Sequence, residues 1–369
     1  MRRVTEQPSW IDPAVWTEPV RGGFPDPALL GLTGLEQIRT FFRGQAPAPP
    51  IRHLTGMMPT EAGPGSATFT MPATGWLVQP PGYLPLGVLA IVADGALGCA
   101  IQTALPPATP YTTSDLSLSF LRPARADGHT LAAEGRAIHA GRSLALSEGL
   151  IRDGQGRPLS HATSRCFVLQ QIDPPPRPPD PLPTVDQPAY GSPDPFERPP
   201  VGRPLEQEVW DRLTGLEVMR GFIAGELPAP PLSHLTGLRP VAADEGTATF
   251  VMPSSPWLCS PAGTVEGGAI ALLADTVLAT AVQTTLPRRT AYTPLDLKVN
   301  YLRPVFPDDR ELTGRGTVTH RGRTLAVAGA ELRNADGKLV AVATGTTFMR
   351  EGRPWHLEEE EPRAGPEED

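Results

Sequence analysis

The chain has 369 residues, 20% of them charged, with a net charge of −8 and only three cysteines. This length accommodates two domains with full cores, and an acidic balance without a Lys/Arg-rich run excludes a basic footprint for nucleic acid or for an anionic membrane surface. Cys99, Cys166 and Cys259 are too scattered for a disulfide framework, and the histidines show no metal-binding spacing, so a cytoplasmic protein without cofactor or metal is expected.

The start of the chain lacks the apolar stretch of a signal peptide, and no apolar run reaches the roughly 18 residues of a membrane span. Residues 1–30, with Trp10 and Trp16, read as an irregular arm over the first domain. Apolar residues at helical spacing follow from Leu32 to Phe42, with Thr33 as N-cap and Gly44 as terminator. Pro47-Ala-Pro-Pro50 is expected to prevent any restart, and His53-Leu-Thr-Gly56 to open a short strand. A second strand spans Ser66–Met71, and a Pro- and Gly-rich loop then leads into an apolar helix over 86–103. Four strand-like runs (112–121, 130–139, 143–152 and 159–169) are separated by turn residues at hairpin spacing.

The pattern then repeats with a shift of 181 residues. Thr33-Gly-Leu-Glu36 returns as Thr214-Gly-Leu-Glu217, His53-Leu-Thr-Gly56 as His234-Leu-Thr-Gly237, and Leu121-Arg-Pro123 as Leu302-Arg-Pro304. Such a period is far too long for a solenoid and marks a duplicated domain. The copies occupy 31–170 and 205–350. Between them, residues 171–204 are over a third proline; extended as polyproline, this linker could span about 100 Å. Residues 351–369 read as an acidic disordered tail.

Both copies carry one odd feature. The helix beginning Gly267-Gly268 is apolar on every side except for Asp275, and Asp94 stands at the matching place in the helix that begins at Leu86-Gly87. A helix of this kind is buried, and a carboxylate inside it is costly unless something pairs with it or uses it. Burial raises its pKa toward useful base strength near neutrality. A helix start with glycines offers free N–H groups to an oxyanion.

In this order, Gly263-x-x-x-Gly267-Gly268-x-x-x-x-Leu-Ala-Asp275-Thr, Thr293-x-x-Asp-Leu-x-x-x-Tyr-Leu-Arg-Pro304, His320-Arg-Gly-Arg323, Asp336-Gly337 and Thr347-Phe348 resemble a PaaI-type acyl-CoA thioesterase. The resemblance implies an α+β chain of two tandem hotdog domains, each a mainly antiparallel sheet wrapped around one long buried helix. Together they would form an intrachain pseudo-dimer that can pair into larger homo-oligomers. It implies hydrolysis of acyl- or aroyl-CoA without a cofactor. It assigns Asp94 and Asp275 as base or nucleophile, and Gly267, by position also Leu86, as the backbone donor to the thioester oxygen. Ser260 and Gln79 take the place of a polar residue seven positions ahead of that donor, and Thr112 and Thr293 that of a water-orienting hydroxyl. Glu266 and Pro85 stand where the family usually has histidine. CoA phosphates would meet Arg122, Arg142, Arg303 and Arg323. A non-catalytic acyl-CoA binding protein is the rival reading.

Eight residues separate Gly267 from Asp275, about 12 Å along one helix, so they cannot serve the same thioester carbon. Antiparallel central helices would instead bring the start of one to the middle of the other. One site is then expected to combine Asp94 and Thr112 with Gly267, Gly268 and Ser260. The other would combine Asp275 and Thr293 with Leu86, Gly87 and Gln79, and would be the weaker because of Leu86 and Pro85.

Overall fold

The computed structural model describes residues 13–352, apart from residue 187. Residues 1–12 of the arm, and the expected acidic tail beyond residue 352, lie outside the described residues. Helix α1 (Pro13–Trp16) belongs to the arm. The first copy holds α2 (Gly34–Phe42), α3 (Pro50–Thr55), β1 (Met58–Gly63), β2 (Ser66–Pro72), α4 (Leu86–Thr103), β3 (Tyr111–Phe120), β4 (Thr130–Ala140), β5 (Leu144–Arg152) and β6 (Pro158–Val168). The second holds α5 (Gln207–Arg212), α6 (Gly215–Ala224), α7 (Pro231–Thr236), β7 (Arg239–Asp244), β8 (Thr247–Pro253), α8 (Gly267–Gln283), β9 (Thr290–Pro294), β10 (Asp296–Tyr301), β11 (Glu311–Arg321), β12 (Leu325–Arg333) and β13 (Leu339–Glu351).

The repeated Thr-Gly-Leu-Glu motif starts a helix and seats it. Thr33 and Thr214 cap α2 and α6 by accepting from the N–H of Glu36 and Glu217. A Cβ at Gly34 or Gly215 would lie within 1.8 Å of the carbonyl oxygen of Gln102 or Gln283, at the end of the central helix. Only glycine permits that approach.

Two sequence expectations fail in the same place. Pro50 does not prevent a helix; it occupies the first turn of α3, where its missing N–H costs nothing. His53-Leu-Thr-Gly56 consequently ends a helix instead of opening a strand, with Gly56 closing it at φ 76°. The second copy does the same at Pro231 and Gly237.

All thirteen strands of the described residues form one antiparallel sheet, and the copies join where β3 pairs with β10, with Leu116 opposite Val299. The sheet wraps α4 and α8, which carry the largest share of the buried core. At 18 residues α4 is long and apolar enough to cross a membrane, more than the apolar runs on either side of Asp94 suggest; 83% of it is buried inside the protein. The core accounts for that composition.

A Cβ added at Gly87 would meet Leu272 Cα at 2.6 Å, and one at Gly268 would meet Ile91 Cα at 2.4 Å. Later positions on one helix therefore face earlier ones on the other, so α4 and α8 are antiparallel and in backbone contact at two glycines. Backbone bonds outside the helices also join the copies: Ile51 N–H donates to Cys259 O at 3.3 Å, and Leu232 N–H to Val78 O at 3.2 Å.

The arm does not simply cover the first copy. Trp16 Nε1 donates to the His234 carbonyl of the second copy at 3.1 Å. The linker in turn is laid along the first copy. Val185 N–H donates to Gly44 O, Trp76 Nε1 donates to Arg198 O, and Asp194 holds Arg21, Arg52 and His53.

Candidate active site

The start of each central helix reaches the aspartate of the other. Gly268 N–H donates to Asp94 Oδ2 at 3.0 Å, and Gly87 N–H donates to Asp275 Oδ2 at 2.8 Å. These contacts join residues 174 and 188 positions apart. Both are produced by the antiparallel crossing at Gly87 and Gly268, because a side chain at either glycine would force the helices apart.

The environments of the two carboxylates differ. Burial pushes Asp94 up to about 6, opposed by the Gly268 N–H, the Thr113 hydroxyl and the Gly267 N–H. Burial also raises Asp275 to about 6, opposed by the Gly87 N–H alone. In both cases loss of water outweighs the donors. A Cβ at Gly267 would lie 2.7 Å from Asp94 Oδ2, so this glycine lets the carboxylate lie across the helix start. At the matching place in the first copy stands Leu86, which is buried.

The hydroxyl beside Asp94 belongs to Thr113, at 3.4 Å from Oδ1, and not to Thr112. Thr112 is exposed. Strand side chains alternate between faces, so an error of one residue places the expected hydroxyl on the wrong side of the sheet. The same slip applies to Thr293: its neighbour Pro294, the counterpart of Thr113, faces Asp275 from the wall of a cavity. Comparison of the copies pointed the wrong way, since Thr112 and Thr293 match whereas Thr113 and Pro294 differ. Thr113→Ala is expected to lower turnover about tenfold, equivalent to about 1.4 kcal/mol, with Thr112→Ala unchanged; steady-state kinetics on the two variants checks this.

The remaining candidates separate. Gln79 lines the cavity with Asp275, as the pairing of Gln79 with that site requires. Ser260 is turned into its own loop, its Oγ donating to Thr264 O and accepting from Ala262 N–H. Arg122, Arg142, Arg303 and Arg323 are exposed in the turns after β3 and β10 and in the β4–β5 and β11–β12 hairpins. None of them lines the cavity.

Two further residues mark the Asp94 site. Tyr301 donates its hydroxyl to Gly267 O at 2.8 Å and thereby fixes the helix start. Glu266 is buried at the N-cap of α8, and its Oε2 has no hydrogen-bond partner. Burial, then the nearby Asp94 charge, holds the Glu266 carboxyl far above the usual carboxylate range. The counterparts of Tyr301 and Glu266 are Phe120 and Pro85, so these groups are specific to one site.

A cavity of about 60 Å³, open on one side, lies beside Asp275. It follows α8 through Thr276, Ala279, Thr280 and Gln283, and is walled by apolar side chains including Phe222 and Phe250. At 1.5 Å per residue, this stripe extends about 12 Å from the carboxylate.

The model of the thioesterase superfamily matches the chain twice, at residues 82–160 and 262–341. A Haemophilus influenzae protein assigned to the esterases is 30% identical over 112 residues, covering 30% of this chain and 79% of its own length. A Vibrio cholerae protein, also assigned to the esterases, is 24% identical over 148 residues, covering 40% and 93%. A hotdog-fold protein of unknown function from Alicyclobacillus acidocaldarius superposes with a TM-score of 0.50 at 14% identity, covering 82% of this chain and 98% of that one, a likeness of fold. With one of these relatives 30% identical over most of its length and the domain model matched in both copies, the chain belongs to the thioesterase superfamily and carries its hotdog domain twice in one polypeptide.

Proposed function

We propose that the protein hydrolyses acyl-CoA or aroyl-CoA thioesters to the free acid and CoA, at composite sites between its two copies. The observation that carries this reading is the carboxylate of Asp94 held 3.0 Å from the Gly268 nitrogen at the start of the opposing helix. The Gly268 N–H and the Thr113 hydroxyl orient the carboxylate, and the Gly267 N–H, the weakest of its three donors, shifts from the carboxylate to donate to the thioester oxygen as that oxygen gains charge. Asp94 takes a proton from water while the water oxygen bonds to the carbonyl carbon. The C–S bond then breaks, and the departing thiolate recovers the proton. Direct attack by the carboxylate uses the same geometry. Thiol release from a panel of acyl- and aroyl-CoAs tests the function; binding without release would favour a non-catalytic acyl-CoA binding protein. Leu86 and Pro294 at the second site are the observation on that side.

Asp94 must be ionised to accept a proton, so kcat/KM is expected to rise with pH and to reach half its plateau near the value of about 6. Stability should run the other way. Both aspartates have folded-state values raised from 3.8 to about 6, so the folded chain binds more protons than the unfolded chain between those values. Their contribution is full below the unfolded value and is lost as pH rises through the folded one. Urea unfolding across this window, with Asp94→Asn and Asp275→Asn flattening the slope, checks the sign.

A further inference from the structure

At the Asp94 site the start of α8 offers the thioester oxygen one backbone donor, the Gly267 N–H, because the Gly268 N–H is taken by the carboxylate. An oxyanion is held best by several donors aimed at one point. Ser260, the polar side chain ahead of that donor, cannot supply a second, since its Oγ donates to Thr264 O within its own loop.

Glu266 immediately precedes Gly267. It is only 5% exposed, its side chain makes no capping bond to α8, and its Oε2 is buried without a hydrogen-bond partner. The charges of Glu266 and Asp94 bear together on the Tyr301 hydroxyl and the Cys99 thiol, so both carboxyls face one small volume at the helix start. The titratable groups around Glu266 are Asp94 and Cys99 on α4, Tyr301 on β10, and Cys259 in the loop ahead of α8. None of the four is a cation. Ionising both carboxyls in such a place is costly, and donors favour the charged form of the group they reach. Asp94 accepts from two N–H groups and a hydroxyl, whereas Glu266 Oε2 accepts from none. A carboxyl that keeps its proton has a hydrogen bond to give.

We infer that Glu266 is a catalytic residue: as a neutral acid it donates from Oε2 to the thioester oxygen beside the Gly267 N–H, and it keeps its proton throughout turnover. The inference rests on the proposed thioesterase activity and deepens it, because it assigns the oxyanion a second donor. An ionised Glu266 would repel the oxyanion. The neutral acid stabilises it, and more strongly as charge gathers on the oxygen away from water.

The test compares two substitutions in the full chain. Glu266→Gln keeps a neutral donor and should lose no more than about fivefold in kcat. Glu266→Met keeps the length and removes the donor, so kcat should fall about 100-fold with KM little changed. Its urea midpoint should hold level or rise, because a buried polar group without a partner is gone. Infrared spectra of a bound ketone analogue of an acyl-CoA, with CH2 in place of the thioester sulfur, read the hydrogen bond without turnover. The ketone carbonyl band should lie at lower frequency on wild type and Glu266→Gln than on Glu266→Met. A loss in Glu266→Gln as large as in Glu266→Met would overturn the inference. So would a band that Glu266→Met leaves in place, a ketone that does not bind, or a lower urea midpoint for Glu266→Met, which would assign the side chain to the fold. Absence of thiol release from every substrate would remove the proposed activity, and the carbonyl band would still show whether Glu266 donates.

Discussion

Asp94→Asn is expected to lower kcat/KM by about 10³-fold, whereas Asp275→Asn should stay within about threefold of wild type. The amide preserves shape: its oxygen can still accept from the Gly268 N–H, and its NH2, on the side of Oδ1, can donate to the Thr113 hydroxyl, which turns to accept, so the structure should persist. It cannot take a proton from water or attack as a carboxylate. The asymmetry follows from the surroundings of two groups that share burial and a value of about 6. Asp94 has two glycine N–H groups and a hydroxyl aimed at it; Asp275 has one N–H, with Leu86 and Pro294 in place of the rest. Equal losses in the two variants would show that these differences do not set turnover.

Substitutions at the adjacent glycines of α8 should produce unlike defects. At Gly268 a Cβ would lie 2.4 Å from Ile91 Cα and 2.7 Å from Ala90 O, both backbone atoms of α4. A helix backbone cannot move locally, so Gly268→Ala must push α4 and α8 apart along a seam of buried residues. The expected cost is about 3 kcal/mol, read as a fall in the urea midpoint together with loss of activity. At Gly267 the nearest atoms are those of the Asp94 carboxylate, at 2.7–3.3 Å. A side chain can rotate away. Gly267→Ala should therefore fold with almost unchanged stability and lose activity because Asp94 is displaced. Equal midpoints for the two variants would contradict this assignment of roles.

Much of this arrangement was legible in the sequence because duplication prints the same constraint twice. Two apolar helices, each with one central aspartate, could only be core helices, and helix length alone separated Gly267 from Asp275 into different sites. The crossing then followed from antiparallel packing. Features that depend on a register of one residue were not legible. Thr112 and Thr113 carry the same side chain, and which one faces the helix is set by the pairing of β3 with β6, where the register shifts between Thr113 and Asp115. In the second copy Pro294 divides the equivalent strand into β9 and β10, since it lacks the N–H the ladder needs. Pro50 misled for the reverse reason: proline stops a helix from the inside but suits its first turn. The cavity beside Asp275 was also hidden, because it depends on whether Phe69 and Phe250 settle onto glycine or threonine.

The claim at the centre of this account is that Asp94 of one copy and Gly267 of the other act as one unit. A double-mutant cycle of kcat/KM on Asp94→Asn and Gly267→Ala measures this directly. The account predicts that Gly267→Ala costs activity in the wild-type background and almost nothing once Asp94 is Asn, while its effect persists in full beside Asp275→Asn. Additive losses for Asp94 and Gly267, or coupling of Gly267 to Asp275 on its own helix, would contradict it.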